Sequence, residues 1–123
     1  MSPILIASVV LAGSLGALLR YWSTRMVAAD QFPTPVLLVN VAGSLLAGVL
    51  VSLSSAGVLQ TEFLVILVTG FCGGLTTFST LSVETIQLIR DGHPVVAATS
   101  ITTNLVLGIG AATLGFLVTG LLT

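Results

Sequence analysis

Four long apolar segments, separated by short polar stretches, make up most of this chain. They cover residues 3–22, 35–53, 61–89 and 95–122. A helix needs roughly 20 apolar residues to cross the hydrocarbon core of a bilayer. The pattern therefore predicts an all-α integral membrane protein with four transmembrane helices, folded as a single domain over residues 1–123.

The ends of these segments carry interface and turn signals. Tyr21 and Trp22 are predicted to end the first helix, because amphipathic rings favour the membrane interface. Pro35 suits the first turn of the second helix. Gly57 and Gly92 lie in the next two connections, where glycine indicates a turn. The helices are therefore expected to follow one another through short connections.

The first segment also contains a stripe of small residues, formed by Gly13, Gly16 and Ala17. Small residues let the backbone of a second helix approach closely in a membrane. We therefore expect the first helix to pack tightly against a neighbour through this stripe.

The third segment is longer than a straight span requires, and its middle is unusually polar. Residues 70–80 contain three glycines and four hydroxyl side chains. Irregular backbone at membrane depth is tolerated only where it is buried in protein or lines a cavity or an ion site. We therefore predict that the third helix is broken at Gly73-Gly74-Leu75-Thr76-Thr77, and that the break serves transport.

Two kinds of ion fit such a break. Carbonyl oxygens freed by the break can hold a hard cation such as sodium, and the N-terminus of the helix that resumes can favour an anion. The same residues also fit a simple kink, in which the hydroxyls bond to the preceding turn. The dense clustering of glycines and hydroxyls favours the ion site.

Composition narrows the class of protein. The chain is 55% hydrophobic and 6% charged. With three arginines and no lysine, it has no basic patch that could bind nucleic acid. We expect the chain to be surrounded by membrane lipid.

The residues needed for an enzyme are also missing. The lone Cys72 excludes an internal disulfide, and with a single histidine, His93, the chain offers no nucleophile and base constellation. The sequence therefore predicts a protein that is not an enzyme.

The arginines also suggest an orientation. Arg20, Arg25 and Arg90 lie at the connections after the first and third segments, and no arginine lies near the other connection or the termini. The positive-inside rule then places these two connections in the cytoplasm. Such a bias suits a subunit of fixed orientation better than one that inserts both ways.

Several polar side chains fall inside the predicted spans. Asn40, in the second, fits either a hydrogen bond between helices or a donor to an anion. Glu84, in the third, is a functional candidate because an ionisable group in a span is costly, and Arg20 is its expected counter-charge. The alternative is that both charges extend to an interface and only anchor their helices.

The fourth segment carries a polar stripe without charge. Ser100, Asn104 and Gly108 recur every four residues, with Thr99 and Thr103 beside them. The stripe fits a pore wall, in which we place Ser100 and Asn104, and it fits helix contacts nearly as well.

With its Gly-Gly-Leu-Thr-Thr-Phe-Ser-Thr motif at 73–80, the chain resembles the Fluc (CrcB) fluoride channels over nearly its whole length. Arg20, Asn40 and Glu84 stand at spacings similar to those of the family. The resemblance implies passive export of fluoride across the plasma membrane of a prokaryotic cell. It also implies an antiparallel, dual-topology dimer with two fluoride pores.

The resemblance further implies a structural sodium ion, which is not transported, held by the backbone carbonyls of Gly73 and Thr76. It places Asn40 and Phe78 on the fluoride path. The candidate helpers are the hydroxyls of Thr77, Ser79, Thr80 and Ser82. Arg20 and Glu84 are the supporting charges.

Two positions depart from the family pattern. Leu81 stands where the family usually has a second phenylalanine, and Ser100 lies near the place of a pore tyrosine. Both concern the anion path, so the partner is either a second copy of this chain or a paralogous subunit. In the second case the chain is a non-conducting or half-conducting assembly subunit.

A further alternative is a small dual-topology multidrug exporter. That chemistry requires a membrane-embedded carboxylate in the first span, and residues 3–22 contain none. The sequence therefore favours the channel over the exporter.

Overall fold

The protein is described here from a computed structural model that defines residues 1–28 and 30–123. Its helices are α1 (Pro3–Met26), α2 (Thr34–Ser55), α3 (Thr61–Leu64), a π-helix (Val65–Cys72), α4 (Gly73–Leu75), α5 (Phe78–Arg90) and α6 (Pro94–Leu122). Four helical stretches are long and apolar enough to cross a membrane, the third being Thr61–Arg90. The predicted all-α fold with four spans is confirmed, and the described residues contain no strand.

The end predicted for the first helix at Trp22 is wrong, because α1 continues to Met26. The polar residues after Trp22 do not stop it. The hydroxyls of Ser23 and Thr24 donate to carbonyls of the preceding turn, and Arg25 in the last turn interacts favourably with the helix dipole.

The third span is interrupted at Thr76 and Thr77, whose backbones are extended, and α5 begins at Phe78. The interruption lies inside the glycine and threonine run that the sequence singled out. Thr77 is the N-cap of α5, since its Oγ1 accepts a hydrogen bond from the Thr80 N–H at 3.1 Å. The span is therefore two helical halves joined by two extended residues.

A π-helix of eight residues, Val65–Cys72, precedes the interruption. In a π-helix each N–H bonds to the carbonyl five residues earlier, and such segments are rare and frequently lie at functional sites. No feature of the hydrophobic pattern predicted it, because the segment is apolar on every side.

Helix α1 packs against the π-helix and α4 through four glycines, Gly13, Gly16, Gly70 and Gly74, which we call the glycine joint. A Cβ atom at Gly16 would overlap the carbonyl oxygen of Phe71, and a Cβ at Gly74 would overlap that of Gly13. The backbones are therefore in contact, and the close approach predicted from the small residues of the first segment is confirmed.

The other two spans, α2 and α6, pack along each other in the same manner. A Cβ atom at Gly48 would overlap the carbonyl oxygen of Ala112, and one at Gly115 would lie 2.5 Å from that of Leu45. At the ends of the bundle, Gln31 Nε2 lies 3.1 Å from His93 Nε2. The connections after the first and third spans therefore lie on the same side, as four alternating spans require.

Candidate functional site

A groove of about 350 Å³ opens beside the interruption of the third span. Helices α2, α5 and α6 and the two extended residues contribute its walls. The lining is mostly apolar, with a few polar groups. The lining residues are Asn40, Ser44, Thr76, Thr77, Phe78, Leu81, Ile101, Asn104 and Leu105.

The structure brings together half of the residues predicted for the ion path. Four of them line the groove: Asn40, Thr77, Phe78 and Asn104. The other four lie outside its lining: Ser79, Thr80, Ser82 and Ser100.

Asn40 bonds to the backbone of the interruption. Its Oδ1 accepts a hydrogen bond from the Thr77 N–H at 2.8 Å, and its Nδ2 donates to the Thr77 carbonyl at 3.1 Å. These backbone partners fix which end of the amide is oxygen and which is nitrogen. The second N–H of Asn40 donates to Asn104 Oδ1 at 2.9 Å. Both of its N–H groups are therefore occupied within the chain.

Asn104 has one N–H group without a partner among the described residues, whereas both N–H groups of Asn40 are bonded. Asn104 is 8% exposed, and its Nδ2 donates to the Ser100 carbonyl at 2.9 Å. A carboxamide nitrogen carries two hydrogens, and the described residues offer no acceptor to the second. The amide donor left for a ligand in this groove therefore belongs to Asn104.

The hydroxyls after the interruption form a local cluster. Thr77 Oγ1 lies 3.0 Å from Thr80 Oγ1 and 3.3 Å from Ser79 Oγ, and Ser82 Oγ donates to the Phe78 carbonyl at 2.9 Å. A hydroxyl can rotate, so this cluster can exchange a partner within it for a ligand.

Ser100 is the one predicted path residue that is wholly enclosed. It is 0% exposed, and its Oγ has no hydrogen-bond partner among the described residues. It lies one turn before Asn104 in α6 and outside the lining of the groove.

Phe78 lies at the opposite extreme, with 82% of its side chain exposed. It is the first residue of α5 and forms one edge of the groove. An aromatic ring has a positive edge and a negative face. Its exposure leaves this ring accessible to an ion or to a second subunit.

Backbone carbonyls of the interruption, among them those of Gly73 and Thr76, are released from helical bonding. The Thr77 N–H, which would bond to Gly73 O in a continuous helix, bonds to Asn40 instead. The Thr76 carbonyl accepts a hydrogen bond from Arg20 Nη1 at 3.2 Å. A carbonyl oxygen has two lone pairs, so Thr76 O keeps one for another partner.

The Arg20 contact gives a direct prediction. Arg20→Met removes the donor to Thr76 O and should lower the stability of the fold by about 1.5–3 kcal/mol, as expected for a hydrogen bond to a charged group. Thermal unfolding of the purified protein in detergent measures the loss. Arg25→Met is the matched control, because Arg25 is exposed on the same helix, lies over the Tyr21 ring and makes no hydrogen bond to the described residues. Equal losses in both variants would show that charge, and not this bond, is responsible.

Arg20 is not the counter-charge of Glu84 within the described part of the chain. Its guanidinium bonds to Thr76 O, whereas Glu84 Oε2 is buried with no hydrogen-bond partner among the described residues. Glu84 instead lines a small polar pocket with Asp30 and Asp91 near the end of the bundle. The pairing of Arg20 with Glu84 that the sequence predicted is therefore wrong for the described residues.

Sequence reasoning missed two features of this site. Ser44 lines the groove one turn after Asn40, and the spacing of four residues on one helix face was the available signal. The bond between Asn40 and Asn104 joins two amides that were considered separately. The available signal was that amide side chains inside a membrane form hydrogen bonds across helices.

Comparison with known proteins connects this geometry to one family. Residues 7–116 match the family described as "CrcB-like protein, Camphor Resistance (CrcB)". The fluoride-specific ion channel FluC of Pyrococcus horikoshii is 40% identical over 119 residues, which is 95% of this chain and 97% of that protein. Fluoride-specific ion channel FluC 2 of Rhodococcus jostii is 41% identical over 90% of this chain and 95% of that protein. The protein of the same name in Bacillus subtilis is 40% identical over 91% and 85%, respectively.

Proposed function

Because this chain belongs to the CrcB family of fluoride-specific ion channels, we propose that it passes fluoride out of the cell along the groove beside its interrupted span. It is a multi-pass membrane protein and not an enzyme, as the sequence predicted. The observation that carries the proposed route is the groove itself, where the amide of Asn104, the hydroxyl of Thr77 and the ring of Phe78 meet at a broken helix.

The proposed chemistry follows from the size of the ion. Fluoride is small and firmly hydrated, so its path must replace water with donors that are weak enough, site by site, to let it leave. The spare N–H of Asn104 and the hydroxyl of Thr77 meet this need. The edge of the Phe78 ring adds attraction without a fixed charge that would trap the anion.

The proposed transport is passive and directed outward by the membrane potential. A potential of about 100 mV is worth roughly 2.3 kcal/mol per charge, which corresponds to about a fiftyfold gradient for an anion leaving a negative interior. No energy-coupling residues are needed. We therefore place the protein in the plasma membrane of a prokaryotic cell, where it lowers cytoplasmic fluoride.

A structural sodium site fits the released carbonyls. Gly73 O has lost its helical partner, and Gly73 is exposed in the single chain. Thr76 O keeps one lone pair beside its bond to Arg20. These are the oxygen ligands that hard cations prefer. When bound, sodium would supply a fixed positive charge that favours anions nearby.

The proposed assembly is an antiparallel dimer that joins at the interrupted spans. Both Phe78 and Gly73 are exposed in a single chain, next to the groove and the released carbonyls. Leu81, which stands where the family usually has a second phenylalanine, is buried and also lines the groove. This observation favours a second candidate, in which the chain is one subunit of a heterodimer and its own groove conducts poorly.

Fluoride efflux from liposomes that contain only this purified chain tests the proposal, with chloride efflux as the control. We expect efflux of fluoride and retention of chloride. Folded protein that releases no fluoride would contradict a self-sufficient channel. Recovery of efflux on adding a paralogous subunit would then establish the heterodimer.

A further inference from the structure

The carboxamide of Asn40 contacts both backbone polar groups of Thr77. It accepts from the N–H at 2.8 Å and donates to the carbonyl at 3.1 Å. Opposite residues of two antiparallel strands exchange hydrogen bonds in the same way. A side chain of α2 therefore takes the place of a neighbouring strand for one extended residue, whose φ and ψ are -151° and 123°.

The bond to Asn40 competes directly with helix formation. In a continuous helix the Thr77 N–H would donate to Gly73 O, four residues earlier. Inside a membrane an N–H must find an acceptor within the protein, because no water is present to supply one. Two acceptors are therefore in competition: Gly73 O closes the third span into one helix, and Asn40 Oδ1 keeps it open.

Asn104 holds Asn40 in this position. Its Oδ1 accepts the second N–H of Asn40 at 2.9 Å, and its own Nδ2 donates to the Ser100 carbonyl at 2.9 Å. Because Ser100 belongs to α6, the orientation of the Asn40 amide is set by a helix other than its own. A series of hydrogen bonds therefore links the backbone of α6, through the amides of Asn104 and Asn40, to the interruption.

We infer that Asn40 is the positioning residue that keeps the third span interrupted, and that Asn104 supports it. Both N–H groups of Asn40 are already bonded, so it shapes the backbone beside the ion path and does not donate to the ion. The link between this role and conduction rests on the proposed fluoride channel. The role itself is structural and can be measured without any ion flux.

The test is a distance across the third span, measured between spin labels on the full-length protein in detergent. The labels are placed at Glu62→Cys and Gln87→Cys, both exposed, in a Cys72→Ser background. An excess of unlabelled protein restricts the signal to distances within one chain. Asn40→Leu keeps the side-chain shape and removes all three hydrogen bonds.

In the Asn40→Leu variant, Thr76 and Thr77 are expected to become helical. The rise per residue then falls from about 3.3 Å to about 1.5 Å, so the main distance should shorten by about 4 Å. Asn40→Asp should keep the wild-type distance, because a carboxyl oxygen still accepts from the Thr77 N–H. Ser44→Ala, one turn away in the same groove, should also leave the distance unchanged.

An unchanged distance in Asn40→Leu, or the same shortening in Asn40→Asp, would overturn the inference. If Asn40→Leu does not fold, Asn104→Leu decides, since it removes the support of Asn40 and should shift the distance in the same direction. No shift there would count against the role. Absence of fluoride efflux from the unmodified protein would contradict a self-sufficient channel and leave the distance result intact.

Discussion

Gly74→Ala is expected to separate α1 from the third span and to abolish fluoride efflux. The new Cβ would overlap the carbonyl oxygen of Gly13, a backbone atom that cannot turn aside as a side chain can. Overpacking of this kind typically costs about 1–3 kcal/mol, and the helix propensity of alanine offsets at most about 1 kcal/mol of it, because Gly74 already lies in α4. Thermal unfolding in detergent and efflux from liposomes measure the two effects.

Gly110→Ala is the matched control for this substitution. Gly110 lies within α6, and a Cβ atom there would meet no other atom within 4 Å. The Gly110→Ala variant gains the helix propensity of alanine without a clash, so the stability of the protein should be unchanged or slightly higher. Opposite signs in the two variants would attribute the loss to the glycine joint, whereas equal stability of both would show that the joint tolerates a methyl group.

Phe78→Ile is expected to reduce fluoride efflux at least about tenfold, a change of about 1.4 kcal/mol, while the protein remains folded and assembled. Isoleucine fills similar apolar space but lacks the positive ring edge that would attract the anion. Because Phe78 is mostly exposed in the single chain, its replacement leaves no cavity in the core. Efflux from liposomes, with the oligomeric state checked by size exclusion, measures the result.

Phe63→Ile provides the comparison for Phe78→Ile. Phe63 is also an exposed phenylalanine of the third span, but it lies in α3 and outside the groove. Its replacement should leave efflux as it is in the unmodified protein. Unchanged efflux in Phe78→Ile would remove the aromatic ring from the proposed path.

The features that could be predicted from the sequence are those that a single segment determines. Apolar length determines the four spans, and the clustering of glycines and hydroxyls at 70–80 marked the region of the interruption at Thr76 and Thr77. Gly13 and Gly16 indicated a tight helix contact, because only small residues allow one. Each of these conclusions needs one stretch of chain and no knowledge of its neighbours.

The partners of each polar group depend on how several helices are rotated against one another. Asn40 and Asn104 are 64 positions apart, and their hydrogen bond depends on the packing of α2 along α6. Arg20 was expected to face Glu84 because their charges are opposite, yet it bonds to the backbone at Thr76. Charge complementarity identifies suitable partners, whereas helix rotation decides which of them come within reach.

The π-helix at Val65–Cys72 has a consequence for how this span can vary in length. It precedes both Gly74 of the glycine joint and Thr77 at the interruption. Each of its hydrogen bonds closes over five residues instead of four, so the loss of one residue can be absorbed by a return to α-helical bonding without turning these two contacts away from α1 and α2. A relative with one residue fewer between Val65 and Cys72 is therefore compatible with this bundle. A substitution at Gly70 in the same stretch is not, because a Cβ atom there would lie 2.7 Å from the carbonyl oxygen of Val9.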